Sequence, residues 1–338
     1  MLFRNLQRHF PLEFPAPQDQ RQKSFRHHVG NLFLAGALLR ILNAMRAAGI
    51  RALAYKGPAF AGLLYGDVTL REMSDLDILI EPTSIPAARN VLIELGYQPA
   101  FTLTRKQEEV RLSYDCESEF SDGKVLVDLH WQITPPHLAP RFSFAALWQR
   151  RRNVTIGQNA VPTFSAEDTA LVLAVHGGKH LWPRLSWLAD FSLSLQSNLD
   201  WSTIGPRAQE ARAGRMLLLA LALARDIFQV QIPPEFFTAL EQDDVVQSIT
   251  EDIGKKLFAD NGPDAANESS VRWASLFRLS DSQWDGMRSA ARFAFSSGPR
   301  EWQSVRLPDS LFGFYRLLRV AAVLRQAPTV LFENLRAR

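Results

Sequence analysis

Apolar residues recur at helical spacing from Ser24 to Ala48 (Leu32, Leu34, Ala35, Leu38, Leu39, Leu42, Met45), and Gly49 supplies a stop. The pattern then shortens. Arg51–Tyr55 reads as a strand, and Lys56-Gly57-Pro58 turns the chain into a helix over Ala59–Tyr65, with Pro58 suited to its first position. A strand carrying Asp75 and Asp77 ends near Glu81-Pro82. The next helix is capped by Thr83 or Ser84, runs to about Leu95 and is closed by Gly96. Tyr97–Thr104 is predicted as a strand. Glu109–Phe120 and Lys124–Ile133 are predicted as a hairpin around Ser121-Asp122-Gly123.

After about residue 165 the alternation gives way to helical periodicity. Ser165-Ala166-Glu167-Asp168 opens a helix with an acidic first turn. Further helices are predicted over Leu185–Gln196, Arg212–Phe228, Glu235–Leu240, Val245–Phe258 and Leu311–Arg325, with a polar loop at Asp260–Ser270. The predicted class is α+β: a small mixed sheet flanked by helices, followed by a mainly α-helical domain. The boundaries are a loose, Pro-, Gln- and Arg-rich segment over 1–23, a first domain over 24–164 led by the helix 24–48, and a helical domain over 165–338.

Chemistry enters through three carboxylates. Residues two apart in a strand share a face, so Asp75 and Asp77 stand side by side while Leu76 and Ile78 enter the core. Carboxylates held that close repel unless a cation sits between them. A second apolar run, Val125-Leu126-Val127, delivers Asp128. Three acids from two strands form an oxygen-rich site of the kind Mg²⁺ prefers, with phosphate oxygens completing the shell. That is the skeleton of a metal-dependent nucleotidyl-transfer site: Asp75 and Asp77 hold two Mg²⁺ ions (Mn²⁺ as an alternative) with NTP bridging them. Asp128 binds the second ion and deprotonates the acceptor. Lys56 and Gly57, at a helix start, favour phosphate, and Arg71 and Ser74 lie just upstream of the acid pair.

Composition narrows the partners. At 338 residues with 46% hydrophobic and 22% charged residues, the chain is long enough for two domains. A net charge of +3 gives no basic stripe for a long nucleic acid. One cysteine, Cys116, excludes an internal disulfide and a cysteine-rich zinc centre. Met1–Phe14 lacks a signal-peptide apolar run, and the longest apolar stretches, Asn31–Leu42 and Met216–Ala224, are too short to span a bilayer. A cytoplasmic protein without a membrane span is expected.

The order of these features resembles the DNA polymerase β nucleotidyltransferase superfamily. Four separated motifs are similar to a bacterial group labelled uncharacterised nucleotidyltransferases: Tyr55-Lys56-Gly57-Pro58, Leu64-Tyr65-Gly66-Asp67, Arg71 to Asp77, and Val127-Asp128-Leu129-His130-Trp131. His176-Gly177-Gly178-Lys179-His180, with Arg184 to Asp190, resembles that group's helical half, so the likeness spans about 50 to 235. It implies a polymerase β-like catalytic domain that moves NMP from NTP to an acceptor: a small molecule, a peptide or protein, or an RNA end. A catalytically silent nucleotide-binding module of the same fold is the rival reading. Two departures stand out: Lys56-Gly57 replaces the common Gly-Ser turn, and the interval from Gly57 to Asp75 is long.

Several residues carry two readings. His130 shares a strand face with Asp128 and either orients substrate or fills the edge of the site. Arg71 meets phosphate or pairs with Glu72 or Asp67. His176, Lys179 and His180 share a helix face, where they bind triphosphate or acceptor, with Arg184 nearby, or serve packing. The Gly-Gly-Lys between the histidines is not a metalloprotease motif.

Overall fold

The computed structural model describes residues 18–258, 275–305 and 307–322. They form two compact units. One comprises the described residues up to Thr102, with Glu117–Ile133 and Phe142–Ser165; the other comprises Leu103–Cys116, Thr134–Arg141 and those from Ala166 onward. The fold is α+β, as the patterning implies.

The first unit opens with α1 (Gln18–Ala47), β1 (Ala52–Tyr55), α2 (Gly57–Tyr65) and β2 (Asp75–Ile80). A 3₁₀ turn at Pro82–Ser84 leads to α3 (Ile85–Glu94) and the short β3 (Gln98–Pro99). The chain then forms α4 (Arg105–Tyr114) in the second unit and returns with β4 (Glu117–Ser121) and β5 (Leu126–His130). The sheet order is β1-β2-β5-β4-β3, with β2 and β5 parallel and the other pairs antiparallel. Strand alternation divides it into two faces. Ala52, Ala54, Leu76, Ile78, Ile80, Phe120, Val127 and Leu129 form one buried face, covered by Leu34, Leu38, Ile41 and Met45 of α1 and by Ala88, Val91 and Leu92 of α3. The opposite face carries the acids. α5 (Phe144–Gln149) and a separate hairpin, β6 (Arg152–Ile156) with β7 (Asn159–Thr163), complete the unit, and Val154, Ile156 and Val161 join the core.

Three expectations change. The strand expected over Tyr97–Thr104 shrinks to two residues, and the first part of the expected hairpin arm Glu109–Phe120 is helical. The reason is local: Thr104 accepts from the Gln107 amide while the Gln107 side chain accepts from the Thr104 amide, a capping box that starts α4. Secondly, Phe25–Ala47, 23 residues, is long and apolar enough to cross a membrane by length and composition. Its inner stripe (Leu34, Leu38, Ile41, Met45) is nevertheless buried in the core of this unit. Thirdly, α1 begins at Gln18, inside the segment read as loose. Residues 1–17, the loop at 260–270 and the end of the last expected helix beyond 322 lie outside the described residues.

The second unit is built on α6 (Ala166–His180), α7 (Leu185–Leu195), α8 (Trp201–Glu210), α9 (Gly214–Phe228), α10 (Pro234–Gln242) and α11 (Asp244–Leu257). α9 is buried along most of its length, from Met216 through Ala224, and packs on α6, α7 and α11. α6 crosses it closely because it carries Gly177-Gly178. A Cβ at Gly177 would lie 2.3 Å from the Trp182 ring, which is 1% exposed, and one at Gly178 would lie 3.0 Å from Met216. Gly177→Ala is therefore expected to cost roughly 3 kcal/mol or more, because the enclosed indole has little room to move. Gly254→Ala in α11, where a Cβ meets nothing within 4 Å, should instead stabilise by about 0.5–1 kcal/mol. Thermal and urea unfolding of the two variants should move in opposite directions; equal shifts would contradict the packing role of Gly177.

Candidate functional site

Register fixes the site. Tyr55, Asp77, Asp128 and Glu119 are Cα partners across β1, β2, β5 and β4, so they form one row on one face. The next row holds Leu79, His130 and Glu117. Asp75 pairs with Leu126, one row before Asp77 and about 6.6 Å away along β2. Asp77 is 3% exposed and His130 1%, while Asp75 and Asp128 are half-buried. Tyr55, Phe60 and Phe164 make a mutual aromatic cluster below the acids, and the His130 ring meets Tyr55 edge-on at 5.2 Å.

Lys56 closes the site from the end of β1. It holds φ 51°, ψ −150°, a conformation that L side chains rarely adopt. Gly57 follows at φ 38°, and a Cβ there would lie 3.2 Å from the Asp75 carbonyl oxygen. The turn thus presses α2 onto the start of β2 and brings Lys56 Nζ to 2.6 Å from Asp77 Oδ1. His130 Nε2 lies 3.0 Å from the same oxygen. On the other side of the ring, Nδ1 lies 3.1 Å from Glu117 Oε2, yet it makes no aligned hydrogen bond.

These neighbours split the carboxylates. Burial alone would raise Asp77, but the Lys56 ammonium and the His130 contact outweigh it and hold Asp77 well below the usual carboxylate range. Burial, then the Asp77 charge, raises Asp75; Lys56, Arg71 and a hydrogen bond from Ser74 act against that rise. Asp128 is pushed up to about 7 by burial and by the charges of Asp77 and Glu117. For Lys56, burial lowers the pKa, and the pairing with Asp77 raises it further than burial depresses it.

The sequence candidates fall into two groups. Lys56, Gly57, Asp75, Asp77, Asp128 and His130 come together on the sheet, and Arg71 and Ser74 reach Asp75. Asp77, Asp128 and His130 form a group whose ligand atoms all lie within 4.8 Å of one another, and Asp75 is not part of it. His176, Lys179, His180 and Arg184 belong to the helical unit. There His176 and His180 pack against each other and on Trp187, with Arg184 over the same indole. Burial first, then the charges of Arg319, Arg141 and Lys179, depress the His137 imidazole to about 4. Sequence reasoning missed Glu117 and Glu119, whose alternation with Ser118 and Phe120 was the available signal. It also missed Asn31, 2% exposed, which donates to the carbonyls of Val68 and Arg71 and anchors the connection leading to Ser74.

Residues 1–229 match the family described as "Uncharacterised nucleotidyltransferase". The chain belongs to that family. Among solved structures, this nucleotidyltransferase is similar to ANT(2")-Ia in complex with adenylyl-2"-tobramycin, with 14% identity over 54% of this chain and 98% of that one and a TM-score of 0.40. It is also similar to the lincosamide antibiotic adenylyltransferase LnuA bound to lincomycin, with 16% identity over 47% and 94% and a TM-score of 0.35. A comparison with curated proteins gives no match.

An acid whose folded pKa lies above its unfolded value takes up a proton on folding. The contribution of Asp128 to the stability of the metal-free nucleotidyltransferase should therefore fall as pH rises from about 4, near the ordinary aspartate value, to about 7, while His137, held down to about 4, acts in the opposite sense over much of that range. Asp128→Asn, neutral at every pH, should match the wild type near pH 4 and exceed it by roughly 1–3 kcal/mol at pH 8 in the presence of EDTA. A difference in melting temperature that does not change between these pH values would exclude repulsion at Asp128.

Proposed function

We propose that this nucleotidyltransferase moves a nucleoside monophosphate from an NTP to an acceptor, with pyrophosphate as the leaving group. The observation that carries the reading is the pairing of Asp77 with Asp128 on adjacent parallel strands, which sets two carboxylates beside each other on a half-buried sheet face, with Asp75 one row away. The donor set fits divalent cations: Asp128 is held protonated to near neutral pH by burial and then by the negative charges of Asp77 and Glu117, and a cation would relieve that repulsion. When bound by Asp75, Asp77 and Asp128, a pair of Mg²⁺ or Mn²⁺ ions supplies charge neutralisation and polarisation of the phosphoryl oxygens.

The chain's own groups then divide the work. Asp128 accepts the proton of the acceptor hydroxyl, a general-base role. Lys56 and the first amides of α2 face the phosphates, because a helix N-terminus carries unpaired N–H groups and positive potential. Ser74 and Arg71, gathered around Asp75, bind the same phosphates from the opposite side of the pair. Gly57 lets the turn lie against the Asp75 backbone, where a side chain would crowd it.

Incubation with Mg²⁺ or Mn²⁺, each α-labelled NTP and a cell extract should give labelled acceptor and pyrophosphate. Asp77→Asn should reduce the yield by on the order of 10²–10³-fold or more, with the fold retained. Nucleotide binding without label transfer or pyrophosphate, under every metal and NTP, would leave a silent binding module instead. Lys56→Ala should lower stability by roughly 3–5 kcal/mol, because Asp77 loses its counterion, and in the folded protein should chiefly raise the KM for NTP, by about tenfold. An effect confined to kcat would contradict its placement on phosphate.

A further inference from the structure

We propose that His130 is itself a metal ligand, in the same centre as Asp77 and Asp128, and that this mixed nitrogen–oxygen set selects Mn²⁺ or another first-row transition ion over Mg²⁺. The inference rests on the metal-dependent reading above and deepens it. Ligand atoms bound at about 2.1 Å to one ion stand roughly 3–4 Å from each other. Nε2 of His130 lies 3.0 Å from Asp77 Oδ1, and ligand atoms of Asp77, Asp128 and His130 all fall within 4.8 Å of one another.

The imidazole is built in rather than incidental. Its ring is 1% exposed, follows Asp128 by two residues on the same face of β5, and is held edge-on by Tyr55 at 5.2 Å. A role limited to balancing Asp77 is already filled, since Lys56 meets the same carboxylate oxygen at 2.6 Å. The buried Nδ1 has no aligned hydrogen bond, and Glu117 Oε2 stands 3.1 Å from it on a half-exposed side chain. A small rotation of that carboxylate takes the Nδ1 proton and leaves the Nε2 lone pair toward the acids. Metal-bound histidines characteristically show this carboxylate–imidazole arrangement, which fixes tautomer and ring orientation. Imidazole suits transition ions, whereas Mg²⁺ favours oxygen throughout, so a nitrogen donor tilts the choice.

The test uses the full-length protein, stripped with EDTA and reloaded with Mn²⁺ alone. Pulsed EPR should show the nitrogen coupling of a directly bound imidazole, and His130→Gln should abolish it while Mn²⁺ affinity falls roughly 10–100-fold. The wild type should bind Mn²⁺ more tightly than Mg²⁺, with the preference reduced in His130→Gln. Glu117→Gln should weaken Mn²⁺ by about tenfold and retain the nitrogen coupling. Wild-type protein that binds Mn²⁺ without nitrogen coupling, and loses that binding in Asp77→Asn, would keep the acidic site and overturn the role of His130. Mn²⁺ binding indifferent to Asp77→Asn as well would sink the metal reading of these strands together with the proposal.

Discussion

A carboxylate that is 3% exposed in the middle of a sheet is tolerable only with a partner, and Asp77 finds it in Lys56. Removing one member of such a buried pair costs roughly 3–5 kcal/mol, because the other charge is left without water or counterion. The rest of the site is arranged around that requirement. Lys56 accepts an unfavourable backbone conformation at the end of β1, and Gly57 allows α2 to approach the Asp75 carbonyl. The same turn sets the first residue of α2 against the start of β2. Charge balance, backbone strain and helix placement are thus one local solution.

The two faces of the sheet explain why the acids stay in place. Leu76, Ile78, Val127 and Leu129 are anchored under α1 and α3, and each is 0% exposed. With a side-chain period of two, fixing those residues fixes Asp75, Asp77, Asp128 and His130 on the other side. The energy that orients the functional face therefore comes largely from the greasy one. The aromatic cluster of Tyr55, Phe60 and Phe164 adds a firm base on the functional side and limits the freedom of the His130 ring.

Much of this was legible in the sequence because it is local. Asp75-Leu76-Asp77 inside an apolar run, Asp128 after Val125-Leu126-Val127, and the Asp122-Gly123 turn each announce a strand or a hairpin without help from distant residues. In the helical second half the predicted starts at Leu185, Arg212 and Val245 shift by at most two residues, whereas the helices Trp201–Glu210 and Gln283–Phe295 went unread. What was not legible depends on pairing. Glu117 gains meaning only once β4 is aligned with β5, and the Lys56–Asp77 contact depends on the unusual φ that follows β1. α4 was misread because Arg105–Tyr114 is mostly polar and carries little apolar periodicity; its signal was the Thr104 cap. Gly177-Gly178 looked like part of a ligand-binding motif, whereas the visible constraint is the closeness of Trp182 and Met216.

The pinned register also governs where the gene can lengthen or shorten. A single codon inserted within β2 would carry Asp77 to the oily side and swing Ile78 out among the acids, scrambling both at once. The connection between Gly66 and Ser74 has no such alternation to protect; Asn31 holds it at Val68 and Arg71, and Val68 and Met73 rest against the core. Diversification among relatives by insertion and deletion should therefore concentrate in that connection, leaving the strands at constant length.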